Sequence, residues 1–284
     1  PWATKRASHG VTIKRVASQD EGVLTPDAFE AAVDKRTRAI CVSSVQWCSG
    51  YRVDIGAIGR MCQDRGIWLI VDAIQEMGAL EMDLSALHAD FVIAGGHKWL
   101  NAPFGCGIMF VGDRALAELQ PASFGYLALE PPSRGWGEYF RTPEITPYRE
   151  FDFPGSAKRF EVAGTSNYPG QAGLGASLAL LNEIGIANAE RHIQSLTALL
   201  HEELDGIGAR LVSKREAEKR SGITTFRMGK NPADDLLVLN RLLAEKILIS
   251  IRYTSGVGGL RVSTHYYNTD DDVLRLCEAL RRHR

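Results

Sequence analysis

Phe91-Val92-Ile93-Ala94 runs straight into Gly95-Gly96-His97-Lys98, and one strand-length earlier Ile67-Trp68-Leu69-Ile70-Val71 runs into Asp72. Each is a short apolar run of buried-strand length that ends in polar residues an ordinary core strand would not need. Working outward, similar runs recur at residues 11–16, 39–45 and 107–111. Helical patterns lie between them: one opened by Thr25-Pro26 as cap and first-turn proline, another at residues 54–65 with Gly66 as its stop. This alternation predicts βαβ units and a mostly parallel sheet, in which functional groups gather at the carboxyl ends of strands.

Beyond this region, residues 121–154 crowd prolines, glycines and aromatics together. Such a stretch is too long for an idle connection and reads as an active-site or subunit-interface loop. Residues 171–184, 186–204, 234–245 and 270–282 read as helices, and residues 209–212, 222–227, 247–252 and 260–263 as strands. The expected organisation is a large domain over residues 1–184 and a smaller C-terminal α+β domain over residues 185–284.

Composition narrows the function. Of 284 residues, 45% are hydrophobic and 24% charged, the balance of an ordinary globular protein. The 33 basic and 34 acidic side chains nearly cancel, which argues against nucleic acid as a partner. No apolar run approaches the roughly 20 residues needed to span a bilayer, so a membrane location is not expected. The five cysteines, Cys41, Cys48, Cys62, Cys106 and Cys277, form no Cys-x-x-Cys pair. They read as buried free thiols of a reducing compartment, the cytoplasm, and no metal site is expected.

A lysine after a strand is, on its own, most often a solvated surface residue, and an aspartate at a strand end as readily a cap as a catalytic group. Together, Asp72 and Lys98 fit the needs of pyridoxal phosphate. That cofactor takes a lysine for its imine, a carboxylate to keep the pyridine nitrogen protonated, and donors for its phosphate. Two adjacent parallel strands could present Asp72 and Lys98 at one sheet edge, and the glycine pair before Lys98 lets backbone approach a flat ring closely.

Val71-Asp72-Ala73-Ile74-Gln75, then Ala89-Asp90 leading through Gly95-Gly96-His97-Lys98, then Gly105-Cys106-Gly107, resembles the cofactor segment of the class-V aminotransferase family, which includes cysteine desulfurases and selenocysteine lyases. Phe160-Glu161-Val162-Ala163-Gly164-Thr165-Ser166-Asn167 resembles that family's Glu-x-Gly-Thr-x-Asn turn. Leu260-Arg261-Val262-Ser263 and Tyr267-Asn268-Thr269 resemble its Arg-x-Ser strand and Tyr-Asn-Thr turn. The resemblance covers nearly the whole chain. It implies a fold-type-I pyridoxal-phosphate transferase, with Lys98 as the Schiff-base lysine and Asp72 on the pyridinium nitrogen. Gln75 would lie near the ring hydroxyl, His97 near the phosphate, Thr165 would reach the phosphate of a neighbouring subunit in a homodimer, and Arg261 would clamp the substrate α-carboxylate. The plainer alternatives are Gln75 as a helix cap, His97 as a loop histidine, Thr165 as a turn closer and Arg261 as a salt-bridged strand residue.

Three departures from the family pattern bear on the site. Glycine stands at position 95, where the family usually has a phosphate-binding hydroxyl. Trp47 stands three residues before Gly50, where it often has asparagine, and Gln46, on the opposite side of an extended strand, could not take over. The family's upstream segment, with a further phosphate loop and a residue stacking on the ring, has no counterpart, because residues 1–16 already match beyond that point. The resulting expectation is an enzyme acting on an α-amino acid, of aminotransferase or β-lyase type, with Lys98 moving the α-proton; transamination, β-elimination and racemisation share these first steps and the sequence does not separate them. A catalytically silent relative serving binding or assembly is the alternative. A nucleotide-binding reading of Gly170-Gln171-Ala172-Gly173-Leu174-Gly175 lacks the preceding strand that such a glycine fingerprint requires. A persulfide-forming cysteine desulfurase is disfavoured, since the segment before Arg261 that would be its mobile loop, residues 253–259, holds no cysteine.

Overall fold

The structure is a computed structural model describing residues 9–122, 125–146, 148, 150–161 and 164–283. Residues 1–8, Pro147, Val162 and Ala163, on which parts of the sequence reading fall, lie outside the described residues.

The first sheet contains β1 (Ala39–Ser43), β2 (Trp68–Asp72), β3 (Phe91–Gly95) and β4 (Gly107–Val111), in that order. β1, β2 and β3 are parallel, and β4 returns antiparallel to β3. The mostly parallel sheet is as expected, with one antiparallel edge. Its core face is built from alternate strand residues, Ile40, Val42, Leu69, Val71, Val92 and Ala94, packed on α1 (Pro26–Ala32) and α2 (Ile55–Arg65). α1 starts where Thr25 Oγ1 accepts the Ala28 amide, and α2 ends at Gly66 in the left-handed region, as the capping pattern predicts. Between β2 and β3 the buried Asp90 accepts two hydrogen bonds from Arg114 of α3 (Asp113–Glu118) and one from the Leu69 amide, which fixes the pairing of the two strands that carry the site.

α4 (Gly135–Tyr139) sits within the otherwise irregular stretch at 121–154. α5 (Tyr168–Ile184) and α6 (Ile186–Ile207) follow, separated by Gly185 with φ 82°. The six-residue glycine pattern at 170–175 lies inside α5 and forms no phosphate loop. The second sheet is antiparallel throughout, β5 (Arg210–Leu211), β6 (Ile223–Arg227), β8 (Val257–Ser263) and β7 (Ser250–Thr254) in spatial order. Phe226, Leu260 and Val262 on one face of this sheet pack on α6, α7 (Pro232–Ala244) and α8 (Asp270–Arg282).

Four sequence expectations are corrected. Residues 11–16 form no strand; they are largely exposed, with Val16 packed against the first sheet's core. The strand expected at 247–252 begins at Ser250, because α7 ends in a turn with Lys246 at φ 60° and Leu248 is left exposed. The segment 253–259 is no loop: β7 and β8 form a hairpin reversed by Ser255 (φ 48°) and Gly256 (φ 80°), the two successive left-handed residues that suit the twist of paired strands. Of the thiols, Cys48, Cys62 and Cys277 are buried, whereas Cys41 is exposed and Cys106 half-buried.

The two sheets meet at a joint. Val45, Ala79, Leu80 and Trp99 from the first sheet's loops pack with Ile193 of α6 and Ile223 of β6. Three hydroxyls on the second-sheet side, Ser213, Thr225 and Ser221, donate to the carbonyls of Ser49, Cys48 and Gly50 at 2.6, 2.6 and 2.9 Å. Gly50 has φ 71°, and a Cβ there would stand 2.1 Å from the Ile223 carbonyl oxygen, so only glycine allows this approach.

Candidate active site

Asp72 is the last residue of β2, paired with Ser43 on β1 and Ile93 on β3. Ser43 Oγ donates to Asp72 Oδ2 at 3.4 Å and the Ile74 amide donates to Oδ1 at 3.0 Å. The carboxylate is exposed at the carboxyl edge of the sheet, on the face opposite the core.

Lys98 follows β3 in a turn closed by three backbone bonds: the Gly96 amide to the Cys106 carbonyl, the Ala102 amide to Gly96, and the Asn101 amide to Lys98. Its side chain is half-buried. Burial, and then the positive charges of Arg261 and Arg252, hold its ammonium below the ordinary lysine range, while Asp72 acts in the other direction. A lysine that loses its proton more readily is a better nucleophile toward an aldehyde.

A Cβ on Gly95 would meet Ile74 Cδ1 at 3.0 Å and His97 Cε1 at 3.1 Å. Both contacts are with side chains, so a larger residue at 95 would require Ile74 and the exposed His97 ring to shift by a few tenths of an ångström. His97 is exposed and stacks on Phe104 at 4.8 Å between ring centroids. The Phe104 carbonyl accepts Asn167 Nδ2 at 2.7 Å, which anchors the turn that ends at Asn167 and bears exposed Thr165.

Gln75 is turned inward, 3% exposed, and its Oε1 accepts the Trp99 indole N–H at 3.1 Å; it caps no helix. Trp99, adjacent to Lys98, stacks on His265 at 5.2 Å, and His265 stacks on Tyr267 at 4.3 Å. His265 Nδ1 accepts the Tyr266 amide at 3.0 Å, so the ring hydrogen sits on Nε2. Nε2 is buried toward the Lys98 and Trp99 carbonyls without closing a hydrogen bond on either, and burial lowers this imidazole to about 4. Tyr266 accepts Asn101 Nδ2 at 3.2 Å. The segment that continues β8 therefore grips the Lys98 turn at Trp99 and at Asn101. Apart from the Tyr-Asn-Thr match, these residues had no signal in the sequence.

Arg261 lies on β8 opposite Ser250 of β7 and Thr225 of β6. Its Nη1 donates to the Trp47 carbonyl at 2.8 Å and its Nη2 to Ser263 Oγ at 3.2 Å. Nε is buried with no partner, and among the described residues no carboxylate lies within ion-pair distance of this guanidinium. The salt-bridged alternative is therefore not what the structure shows. Gln46 and Trp47 stand in a turn rather than a strand, so the argument from strand alternation does not apply; Gln46 Nε2 donates to the Ser43 carbonyl at 3.1 Å.

A lysine of lowered basicity, an aspartate at the next strand end and an arginine lacking an acid partner are thus placed around the carboxyl edge of the first sheet and the facing strand of the second. The chain belongs to the class-V aminotransferase family, whose profile matches residues 1–276, and its class is thus that of pyridoxal-phosphate-dependent enzymes, transaminase or lyase. It is 31% identical to a probable cysteine desulfurase of Methanothermobacter thermautotrophicus, over 99% of this chain and 68% of that protein. With the isopenicillin N epimerase of Amycolatopsis lactamdurans it shares 30% identity over 95% of this chain and 65% of that one. The apo structure of a cysteine desulfurase from Thermococcus onnurineus superposes with a TM-score of 0.81 at 24% identity, covering 99% of this chain and 68% of that one, a likeness of fold. The chain thus spans about two thirds of the length of these relatives.

Proposed function

We propose that the protein acts on an α-amino acid by transamination or β-elimination, with Lys98 holding the cofactor covalently. The observation that carries this reading is the charge grouping of Lys98, Asp72 and Arg261, in which Arg261 keeps a buried, unpartnered Nε and no acid partner. When bound, pyridoxal phosphate supplies an electron sink that makes the bond to the α-hydrogen of an amino acid labile.

In this reading Asp72, steadied by Ser43 and the Ile74 amide, keeps the pyridine nitrogen protonated. His97 and Thr165 serve the phosphate, Thr165 from a neighbouring subunit of a homodimer. Gln75 belongs to the cofactor set and also fixes Trp99 beside Lys98. Arg261 takes the α-carboxylate, and its bond to the Trp47 carbonyl aims the guanidinium at the first-sheet edge. The Lys98 amine would take and return the α-proton, a role its lowered basicity favours. Residues 1–184 would carry the cofactor and residues 185–284 the carboxylate clamp, in a cytoplasmic protein. Among the described residues no helix is long and apolar enough to cross a membrane.

The hairpin at 250–263 argues against persulfide chemistry, since its turn is Ser255-Gly256 and it offers no thiol. Cys48, packed against that hairpin with Sγ toward the Arg252 and Val257 carbonyls, is buried, and burial raises its thiol above the ordinary range. The test is the absorption spectrum of the protein with added pyridoxal phosphate, before and after amino acids are offered. A visible band that changes with an amino acid supports the reading, and a flat spectrum identifies a catalytically silent relative. Sedimentation of the loaded protein decides the dimer: a monomer with full cofactor occupancy contradicts it.

A further inference from the structure

The hairpin that supplies Arg261 supplies a second guanidinium beside it. Ser250 pairs with Arg261 and Arg252 with Gly259, so Arg252 and Arg261 lie on the same sheet face in diagonal positions. Diagonal neighbours of this kind stand roughly 7–8 Å apart, within reach of two long side chains. Gly259, opposite Arg252, places no side chain between them. Arg252 Nη1 donates to the Ile251 carbonyl at 2.7 Å, and among the described residues no carboxylate is within ion-pair distance of Arg252. Each arginine is thus a cation without an acid partner, and both line an open cleft of about 810 Å³ beside Ser250 and Ser263, whose other walls are apolar residues of α7 and of the segment leading into β7, such as Leu236, Leu239 and Leu248.

Like charges on one sheet face repel, and here the repulsion extends to Lys98. Arg252 disfavours the charged form of Arg261, and both disfavour that of Lys98. Asp72 is the acid that acts against them at Lys98. An amino acid with only its α-carboxylate would answer one guanidinium and leave the other facing Lys98. A ligand with a second acid, one side-chain length from the first, would answer both.

We propose that Arg252 is a specificity residue and that the substrate is an α-amino acid whose side chain carries a second carboxylate. This rests on the reading of Arg261 as the α-carboxylate clamp: Arg261 takes the α-carboxylate and Arg252 the side-chain acid. The forked guanidinium suits the planar carboxylate, with the second acid held toward the hairpin and away from the α-carbon.

The test uses ligands that cannot react. Succinate and glutarate are titrated by calorimetry into the cofactor-loaded protein beside their half-amides, succinamate and glutaramate, which keep the shape and lose one charge. The better diacid is expected to bind at least about tenfold more tightly than its half-amide. In Arg252→Gln that advantage should fall to within about twofold with cofactor content unchanged, and Arg252→Lys should keep part of it. Equal binding of diacid and half-amide by the unmodified protein, or an advantage that survives in Arg252→Gln, overturns the proposal. Loss of cofactor from Arg252→Gln with the advantage intact also overturns it and assigns Arg252 to the phosphate. Arg261→Gln should weaken diacid and half-amide alike; if it weakens neither, the clamp reading fails, whatever Arg252 does.

Discussion

Arg261 reaches from the second sheet to the first and donates to the Trp47 carbonyl at 2.8 Å, while the Nε of the same guanidinium stays buried without a partner. A buried cation half satisfied by backbone is costly unless an anion completes it, because desolvation is then uncompensated. In the proposed function this relationship makes Arg261 the receptor for the substrate carboxylate.

Arg261→Gln should therefore raise KM for an amino acid by roughly ten- to a hundredfold, the loss of a charge-assisted bond worth about 1.5–3 kcal/mol, and leave cofactor content near that of the unmodified protein. Arg261→Lys should not rescue it, since an ammonium cannot serve Trp47, Ser263 and a ligand from one planar fork. Steady-state kinetics with parallel cofactor titration check this; a change in kcat alone would count against the clamp.

Asp72→Ala removes the charge that keeps the pyridine nitrogen protonated but leaves Lys98 free to hold the cofactor. Turnover should collapse by far more than cofactor content does. Equal losses in both, measured on the same preparation, would make Asp72 a structural residue held by Ser43 and the Ile74 amide.

The site's lysine turn should loosen in mild acid. His201 and His265 are both buried, and burial lowers each to about 4 from the ordinary 6.5. Unfolded chains take up protons at these positions near 6.5, the folded protein only near 4. Their contribution is therefore complete above about 6.5 and is lost as pH falls toward 4. Tm should drop across that window, and His201→Gln or His265→Gln should each flatten the slope. His265→Gln should also shift the pH dependence of the cofactor's visible band, since it frees the backbone beside Lys98 from the stacked column. A Tm slope unchanged in both variants would contradict this account.

Much of this site was legible because strand ends carry chemistry. A short apolar run reads as a strand even though only its alternate residues are buried and Ile93 is 42% exposed, so a charged group just after it is expected at a sheet edge, and that reasoning points to Asp72 and Lys98 without coordinates. What remained hidden depends on contacts distant in sequence. Nothing near His265 says that it stacks on Trp99, and nothing near Gly50 shows the Ile223 carbonyl against it. The hairpin at 250–263 was missed because Ser255 occupies a left-handed position usually marked by asparagine, aspartate or glycine. The antiparallel edge strand β4 is equally silent in sequence, since apolar runs carry no sign of direction.

Offering cysteine without reductant, followed by mass spectrometry of the intact protein, should show no persulfide. The segment leading to Arg261 is a closed hairpin without a thiol, and Cys48, Cys62 and Cys277 are buried, with their thiols raised above the ordinary range. A stoichiometric persulfide on any of the five cysteines that passes to an acceptor would place the chain among desulfurases in activity.

The central claim is that Lys98 holds the cofactor. Borohydride reduction of the protein loaded with pyridoxal phosphate, followed by peptide mapping, tests it directly. The account predicts one stable label per chain on the peptide containing Gly95-Gly96-His97-Lys98, absent from Lys98→Ala. A label on any other lysine, or none on protein that shows the visible band, would contradict it.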